Sequence, residues 1–403
     1  MRHVHICDPQ LFAAGGHCLN HDAQLIRDLR RRNIPVSLYA RKGCQQVCEG
    51  LTPEPIFSHD MFSEAATDPL VWPIENFNAL NQLFLADLSR IPADRFTAND
   101  LVYFPNLLQN QLYAVALWLA SFPVEKRPVA AVMLRFFNQG MDYIQSRANK
   151  ELIGAFYRYA GRALLSVQPR SWLCADTREL AVAYQKTIEL PVLLLPDPMD
   201  VSALLAGLTA RPPSPRPVVI YQGYTHHNKG FHLLPDIIDA CSGLNPRPRF
   251  LVQVQNRKAE GMGPALERLD RYGPDDVEII NGFLSADEYF KMFVKSDIVL
   301  LPYSPLFYRY GSSGVFTESA SAGKVVVVSD GTVPARQIRE YNLGGVIAPE
   351  WTSGAMAHAV TSAVRDLSVL QKRSEANAAR FRRANCAQAL WDKLFASIKP
   401  APN

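Results

Sequence analysis

Short apolar runs alternate along the chain with longer segments in which apolar residues recur every three or four positions. The chain opens with a strand predicted at Val4 to Cys7, a helix at Leu19 to Arg32 and a strand at Val36 to Tyr39. Short apolar runs bounded by turn residues indicate buried strands, and the longer periodic segments indicate amphipathic helices. This order is typical of a parallel sheet covered by helices.

The same alternation continues on both sides of a proline-rich segment, whereas residues 50 to 98 are less regular. Before that segment, strands are predicted at Leu101 to Phe104, Ala130 to Leu134, Trp172 to Ala175 and Val192 to Leu195, and helices at Gln111 to Ser121, Gln145 to Leu165 and Arg178 to Thr187. After it, strands are predicted at Val218 to Gln222, Phe250 to Val254, Val277 to Asn281, Ile298 to Leu301, Val325 to Ser329 and Val346 to Ala348. The helices predicted there are Phe231 to Ala240, Ala265 to Arg271, Asp287 to Lys295, Val315 to Ala322, Pro334 to Tyr341, two between Ser353 and about Arg383, and Ala387 to Ile398.

The proline-rich segment is the predicted domain boundary, with five prolines between positions 198 and 217. Proline fixes φ and cannot donate to a strand ladder, so a sheet is not expected to continue through it. We therefore predict an α/β protein with an N-terminal domain at 1–197, joined by a C-terminal helix within 385–403, and a second domain at 198–384. Two such domains around one hinge imply a ligand cleft between them.

Composition narrows the function classes. Of the 403 residues, 48% are apolar and 20% are charged, so sizeable cores can be buried. The net charge of +4 is small and argues against a dedicated nucleic-acid binder. Seven scattered cysteines favour reduced thiols over a disulfide framework or a metal site. The longest apolar stretch, Leu112 to Phe122, is about half the length that spans a bilayer, so we expect a soluble or peripheral, cytoplasmic protein.

The segment from Tyr310 to Glu318 is the strongest chemical signal, because small residues lie there between a predicted strand and a predicted helix. Gly311, Ser312, Ser313 and Gly314 precede the helix that begins near Val315. Backbone amides at a helix N-terminus bind phosphate, although a serine there also serves as an ordinary N-cap. A carboxylate one turn into the helix can accept hydrogen bonds from hydroxyls of the same ligand. The segment therefore predicts a nucleotide or nucleotide-sugar site.

Four segments, in chain order, carry a resemblance to a known family. They are Gly15-Gly16 after the first strand, Tyr221 to Gly230, Val277 to Leu284, and Gly311 to Asp330. Together they resemble the retaining GT-B glycosyltransferases, particularly the GT4-like group. The resemblance implies two Rossmann-like domains with parallel sheets facing an interdomain cleft. It also implies transfer of a sugar from a nucleotide sugar, such as a UDP- or GDP-sugar, to a hydroxyl acceptor with retention.

Roles for individual residues follow from that resemblance. Glu318 would bind the ribose, and Lys229, beside Gly223 and Gly230, would contact the diphosphate together with Ser312, Ser313 and Gly314. The nucleobase would lie at Phe283 and Leu284, for which core packing is the alternative. Gly15 and Gly16 would face the donor phosphate or the acceptor, or form an ordinary turn.

Two positions depart from the family pattern. Tyr310 stands where the family usually has a glutamate, and Tyr224 stands where an arginine often follows the glycine of the donor-domain motif. Tyr224 stays a candidate ligand-binding residue, and the Tyr310 phenol could contact the donor sugar, with a structural aromatic as the alternative. Many relatives also have a histidine in the middle of the N-terminal domain that contacts the donor sugar, whereas this chain has none between His59 and His226. Arg135, Asn138 and Gln139, after the strand predicted at Ala130 to Leu134, lie in a comparable region, and any of them could replace it. Lys229, Arg135 and Tyr310 are therefore the candidate catalytic residues.

The predicted function is a retaining, metal-independent glycosyltransferase of polysaccharide or glycoconjugate synthesis, with no cofactor besides its nucleotide-sugar co-substrate. A glycan or a lipid-linked sugar would be the acceptor. Two alternatives remain open: a catalytically silent scaffold that binds a nucleotide sugar or a partner, and a sugar-nucleotide epimerase. The arginines at 27, 30, 31 and 32 could touch an acidic membrane, although a solvated helix end is the simpler interpretation. A surface or capping role is expected for His17 and His21.

Overall fold

The computed structural model describes residues 2–12, 17–65, 72–136, 147–199, 201–208 and 215–398. Within these ranges the chain forms two compact units. Unit 1 comprises Met1–Pro198 and Cys386–Asn403, and unit 2 comprises Met199–Asn385. The chain therefore leaves the first unit once and returns to it for its last helix.

Unit 1 is built on a parallel sheet. Its described strands are β1 (Val4–Asp8), β2 (Val36–Arg41), β3 (Glu54–Phe57), β4 (Leu101–Phe104), β5 (Val129–Met133), β6 (Trp172–Ala175) and β7 (Val192–Leu194), and they lie in the order β3-β2-β1-β4-β5-β6-β7. Its described helices are α1 (His17–Arg31), α2 (Trp72–Leu88), α3 (Gln109–Ala120), α4 (Arg147–Val167), α5 (Arg178–Ile188) and, from the end of the chain, α15 (Ala387–Ser397). Each strand pair is parallel, as the alternation of strands and helices predicts.

Unit 2 repeats this architecture. Its described strands are β8 (Val218–Tyr221), β9 (Arg249–Val254), β10 (Val277–Asn281), β11 (Ile298–Leu301), β12 (Val325–Ser329) and β13 (Gly345–Ala348), in the order β10-β9-β8-β11-β12-β13. Its described helices are α6 (Ser202–Leu208), α7 (Leu234–Cys241), α8 (Gly263–Leu269), α9 (Ala286–Lys295), α10 (Pro305–Tyr308), α11 (Gly314–Ser321), α12 (Val333–Tyr341), α13 (Ser353–Arg365) and α14 (Leu367–Ala384). The predicted α/β class with two parallel sheets is confirmed.

Alternate residues of each central strand enter cores on opposite faces of the second sheet. Val219 of β8 lies in a core formed with α7, α8 and α13, whereas Ile220 lies in a core formed with α6, α9 and α11. Successive side chains of a strand point to opposite faces, so a strand covered on both faces must be apolar throughout. The run of four valines in β12 meets this requirement, and all four are buried.

The strand order places a ligand site by topology. In both sheets the strand order reverses direction between the first and the fourth strand of the unit, which lie side by side: β1 and β4 in unit 1, β8 and β11 in unit 2. Ligands of open parallel sheets bind at the carboxyl ends of the strands at this switch point. The loops that follow β8 and β11 are the ones that contain Lys229 and Tyr310. Among the described residues, no helix is long and apolar enough to cross a bilayer.

Candidate nucleotide site in unit 2

The loops after β8 and β11 are fastened to each other. The Ser304 amide donates to the Asn228 carbonyl at 2.8 Å. Gly230 has φ of +69°, and a Cβ atom there would lie 2.0 Å from the Pro302 carbonyl oxygen. Only glycine permits both the left-handed backbone and this approach. The β8 loop is thereby held against the chain that leads to α11.

Lys229 lies at the end of a short 3₁₀ turn, His227–Lys229. Its Nζ is 5.7 Å from the centroid of the Tyr303 ring, and a Cβ atom on Gly223 would lie 3.0 Å from it. Desolvation lowers the pKa of Lys229 to about 8. No described residue supplies this amino group with a hydrogen bond or a carboxylate. A desolvated cation without a counterion favours binding of an anion.

The N-terminus of α11 faces the same region through its cap. The buried Ser313 side chain accepts a hydrogen bond from the Phe316 amide at 3.2 Å and contacts the Tyr303 hydroxyl at 3.4 Å. Both Lys229 and the α11 cap therefore contact Tyr303. Ser313 is an N-cap, as one interpretation of the sequence requires, and the helix dipole adds positive potential at this end. Gly311, Ser312 and Gly314 are partly exposed beside it.

Glu318 is buried one turn into α11, at 5% exposure. The Tyr289 hydroxyl of α9 donates to its Oε2. Burial raises the pKa of Glu318 to about 7, and the bond from Tyr289 acts in the opposite direction. This buried carboxylate belongs to the same short helix as the Ser313 cap, so a phosphate group and a hydroxyl-bearing group of one ligand can be bound together.

Gln253 ties the glycine loops after β8 and β10 together. Its Oε1 accepts from the Gly223 amide at 3.1 Å, and its Nε2 donates to the Gly282 carbonyl at 3.3 Å. Phe283, next in the chain, is 77% exposed, whereas Leu284 packs against the core beneath α9. Core packing therefore accounts for Leu284 but not for Phe283, whose ring is free to meet a planar ligand.

The two tyrosines that depart from the family pattern are both accessible. Tyr224 is 46% exposed and lines a cavity of about 380 Å³ together with His227, Asn256 and Glu260. Tyr310 is partly exposed, and the Arg309 guanidinium lies 4.9 Å from its ring centroid. Contact of the Tyr310 ring with the sugar and contact of Tyr224 with the ligand stay predictions.

The remaining predicted residues belong to unit 1. Gly15, Gly16, Asn138 and Gln139 lie outside the described residues. Arg135 is buried among acidic groups: its Nη1 is 2.6 Å from Asp197 and 3.5 Å from Asp176, and its Nη2 is 2.8 Å from His21 Nε2. The observed contacts of Arg135 are thus internal to unit 1, and its predicted contact with a donor sugar stays a prediction. The surface role expected for His21 is wrong, because His21 is only 2% exposed.

Tyr289 and Tyr303 are site residues that the sequence did not reveal. Tyr289 reads as one more apolar position of an amphipathic helix, and its bond to Glu318 spans 29 residues. Tyr303 follows the apolar β11 run and is itself buried. Their one sequence signal is the hydroxyl of a tyrosine at a core position, since a buried tyrosine hydroxyl usually finds a hydrogen-bond partner.

Comparison with known proteins supports the fold. No family model matches the chain, and no curated protein matches it in sequence. Among solved structures, a glycosyltransferase from Rickettsia africae ESF-5 is 11% identical with a TM-score of 0.69, covering 99% of this chain and 100% of that one. Sucrose-phosphate synthase from Thermosynechococcus elongatus is 14% identical with a TM-score of 0.67, covering 98% and 100%. HepE of Anabaena, solved in complex with UDP, is 14% identical with a TM-score of 0.57, covering 98% and 99%. The chain therefore has the fold of the GT-B glycosyltransferases.

Proposed function

We propose that this GT-B-fold protein is a retaining glycosyltransferase that moves a sugar from a nucleoside-diphosphate sugar to a hydroxyl acceptor. The observation that carries the proposal is the convergence of three groups at the switch point of unit 2. These are the Lys229 ammonium, which has no carboxylate partner among the described residues, the Ser313-capped N-terminus of α11 and the buried carboxylate of Glu318. A nucleoside diphosphate presents anionic phosphates and ribose hydroxyls, which match this set.

Each group has a defined task in this mechanism. Lys229 and the amides at the start of α11 stabilise the negative charge that grows on the departing diphosphate. Glu318 holds the ribose, so that the anomeric carbon is presented in one orientation. The leaving phosphate itself assists deprotonation of the acceptor hydroxyl on the same sugar face. We expect the diphosphate to need no divalent metal, because the site supplies its own positive charge.

UDP is the first nucleotide to test, because HepE of the same fold was solved in complex with UDP and with UDP-glucose. Lys229→Met removes the cation and keeps the length of the side chain. Glu318→Gln removes the negative charge and keeps its shape. Each variant is expected to weaken UDP binding about ten-fold or more, as for loss of a hydrogen bond to a charged group. Isothermal titration calorimetry measures the affinity.

Lys291→Met is the matched control, since Lys291 is an exposed lysine of the same unit that pairs with Asp287. It should bind UDP as the unmodified protein does. Unchanged affinity in both site variants would overturn the site. Product analysis with a panel of nucleotide sugars, with and without EDTA, then tests transfer. A donor that binds without being transferred or hydrolysed supports the scaffold alternative, and release of an epimerised sugar nucleotide supports the epimerase.

A further inference from the structure

A tyrosine of α9 reaches into the proposed ribose site from outside the loop-helix motif. The Tyr289 hydroxyl donates to Oε2 of Glu318. Glu318 is buried, and the partly buried Tyr289 packs against the unit 2 core. Within the described part of the chain, no other side chain donates to this carboxylate. One oxygen of Glu318 is therefore bound internally, and Oε1 is the oxygen left for a ligand.

We propose that Tyr289 is a positioning residue for nucleotide recognition, which holds Glu318 as a correctly turned carboxylate so that its second oxygen accepts from the ribose hydroxyls. This inference rests on the proposed function and deepens it, because it says what prepares the ribose contact. A carboxylate fixed through one oxygen loses little rotational freedom when a ligand binds to the other.

The position of the Tyr289 hydroxyl is itself fixed by its surroundings. The buried Gln222, which directly follows β8, donates through Nε2 to the Tyr289 carbonyl at 3.1 Å. Ser285 caps the start of α9, accepting from the Glu288 amide at 3.3 Å. The Tyr289 ring also contacts Phe290 and Phe293. The strand that leads to the Lys229 loop thus also holds the helix that orients Glu318.

The chemistry requires an ionised Glu318, because ribose hydroxyls donate and a carboxylate accepts best. Burial opposes ionisation and raises the pKa of Glu318 to about 7, whereas the Tyr289 hydroxyl favours the ionised form. Tyr303 faces the carboxylate from the β11 loop, and Lys229 lies beyond the Tyr303 ring. From α14, Arg382 donates to the Ser321 carbonyl at the far end of α11, and Glu375 lies beside Gly323. Tyr289 is thus the one described donor placed to offset the burial.

The experiment compares UDP with 2′,3′-dideoxy-UDP. Both ligands carry the same diphosphate, so the ionisation of the phosphates and of Lys229 cancels in the ratio of their affinities. This ratio isolates the ribose contact. It is measured by calorimetry from about pH 6 to about pH 9, a range that brackets the raised pKa of Glu318. The proteins are the unmodified chain and its Tyr289→Phe, Glu318→Gln and Tyr272→Phe variants.

Tyr289→Phe keeps the ring and removes the donor. Its affinity for UDP relative to 2′,3′-dideoxy-UDP is expected to fall about ten-fold near pH 7, the usual effect of losing a hydrogen bond to a charged group. This ratio should recover toward about pH 9, where Glu318 ionises without the donor. A residue that only packs would not move this pH profile. Tyr272→Phe is the matched control, because the Tyr272 hydroxyl also donates to a carboxylate of unit 2, Asp239, at 2.6 Å but away from the site. Its profile should follow that of the unmodified protein.

The two ways of failing are distinct. An unchanged ratio in Glu318→Gln would show that Glu318 does not meet the ribose, and the proposed site would fail with it. A reduced ratio in Glu318→Gln, combined with an unmodified profile in Tyr289→Phe, would overturn only the positioning role. Circular dichroism and thermal melting of each variant confirm that the compared proteins are folded.

Discussion

The single residue Gly230 supports the candidate site through its backbone conformation and its lack of a side chain. Its left-handed φ ends the 3₁₀ turn that contains Lys229, and its missing side chain lets the turn lie against Pro302. The Trp351 indole donates to the same Pro302 carbonyl at 2.8 Å, so the carbonyl cannot easily move away. The shape of this loop therefore depends on the absence of a Cβ atom at Gly230.

Gly230→Ala is expected to lower both stability and nucleotide affinity. The left-handed backbone alone costs a residue with a Cβ about 1–2 kcal/mol, and the contact with Pro302 adds to this. Gly261→Ala is the matched control, since Gly261 has φ of +73° but nothing within 4 Å of the added Cβ. Urea unfolding and UDP titration of both variants separate the cost of the left-handed backbone from the cost of the close contact with Pro302. Equal losses in the two variants would contradict the role given to the close approach.

At the scale of elements, the carboxyl ends of several unit 1 strands converge on a buried cluster of charges. Asp8 ends β1, Asp22 lies on α1, and Arg135, Asp176 and Asp197 follow β5, β6 and β7. Burial raises the pKa of Asp8 to about 6 and that of Asp22 well above its ordinary range, and each carboxyl influences the other. The folded state therefore retains protons that the unfolded chain releases.

Asp22→Asn tests this cluster through the pH dependence of stability. Acids whose pKa is raised on folding stabilise the fold at low pH and lose that contribution as pH rises through the folded pKa. In the unmodified protein, unit 1 should lose stability as the pH rises through about 6 and beyond. The amide of asparagine donates hydrogen bonds at every pH, because it does not titrate. The free energy of unfolding of the variant should therefore change less with pH, and at about pH 8 it should be higher than that of the unmodified protein by an amount on the order of 1 kcal/mol.

Urea unfolding at about pH 5 and about pH 8 measures the difference. Asp197→Asn provides the contrast, because Asp197 is the carboxylate closest to Arg135, at 2.6 Å. Breaking a buried ion pair from one side costs about 3–5 kcal/mol, so this variant should be less stable at both pH values. A pH slope in Asp22→Asn equal to that of the unmodified chain would show that Asp22 is not the group that titrates.

The elements that the sequence predicts and those that it misses differ in a physical way. Central strands such as β12 are buried on both faces, so each forms a continuous apolar run from which the sequence predicts a strand. The edge strand β3 has four residues and contains Pro55, which removes the usual signal. Helix α2 buries Asn76, Asn81 and Asp87, which hide its apolar period.

The candidate site divides in the same manner. Ser313 and Glu318 are close in sequence and share one helix, so local spacing predicts them together. Tyr289 joins them only through its hydrogen bond from α9 to Glu318 of α11, a long-range contact that no local pattern predicts. Arg135 was predicted because it lies in the region where many relatives have a histidine, but its contacts depend on Asp176 and Asp197, which follow two later strands.

In the whole molecule, unit 1 is formed by two separate segments of the chain. Helix α15 returns there after unit 2 is complete, and Trp391 is its buried anchor. The Trp391 indole donates to the Leu25 carbonyl of α1 at 3.2 Å, and its ring meets Tyr103 edge-on at 5.3 Å. Helix α15 is therefore part of the core of unit 1, and that core is complete only when α15 is packed against it.

Trp391→Ala is expected to destabilise unit 1 selectively, by about 3–5 kcal/mol as for other large-to-small core substitutions. Hydrogen exchange, measured by mass spectrometry with and without UDP, assigns the loss to peptides of each unit. Unit 1 peptides should lose protection, while UDP still protects unit 2, because a ligand stabilises the state that binds it. Trp351→Ala, a change in unit 2, should lower the protection of unit 2 peptides and leave that of unit 1 peptides unchanged. Equal loss of protection in both units of Trp391→Ala would show that they unfold as one cooperative body, since separate units lose stability separately.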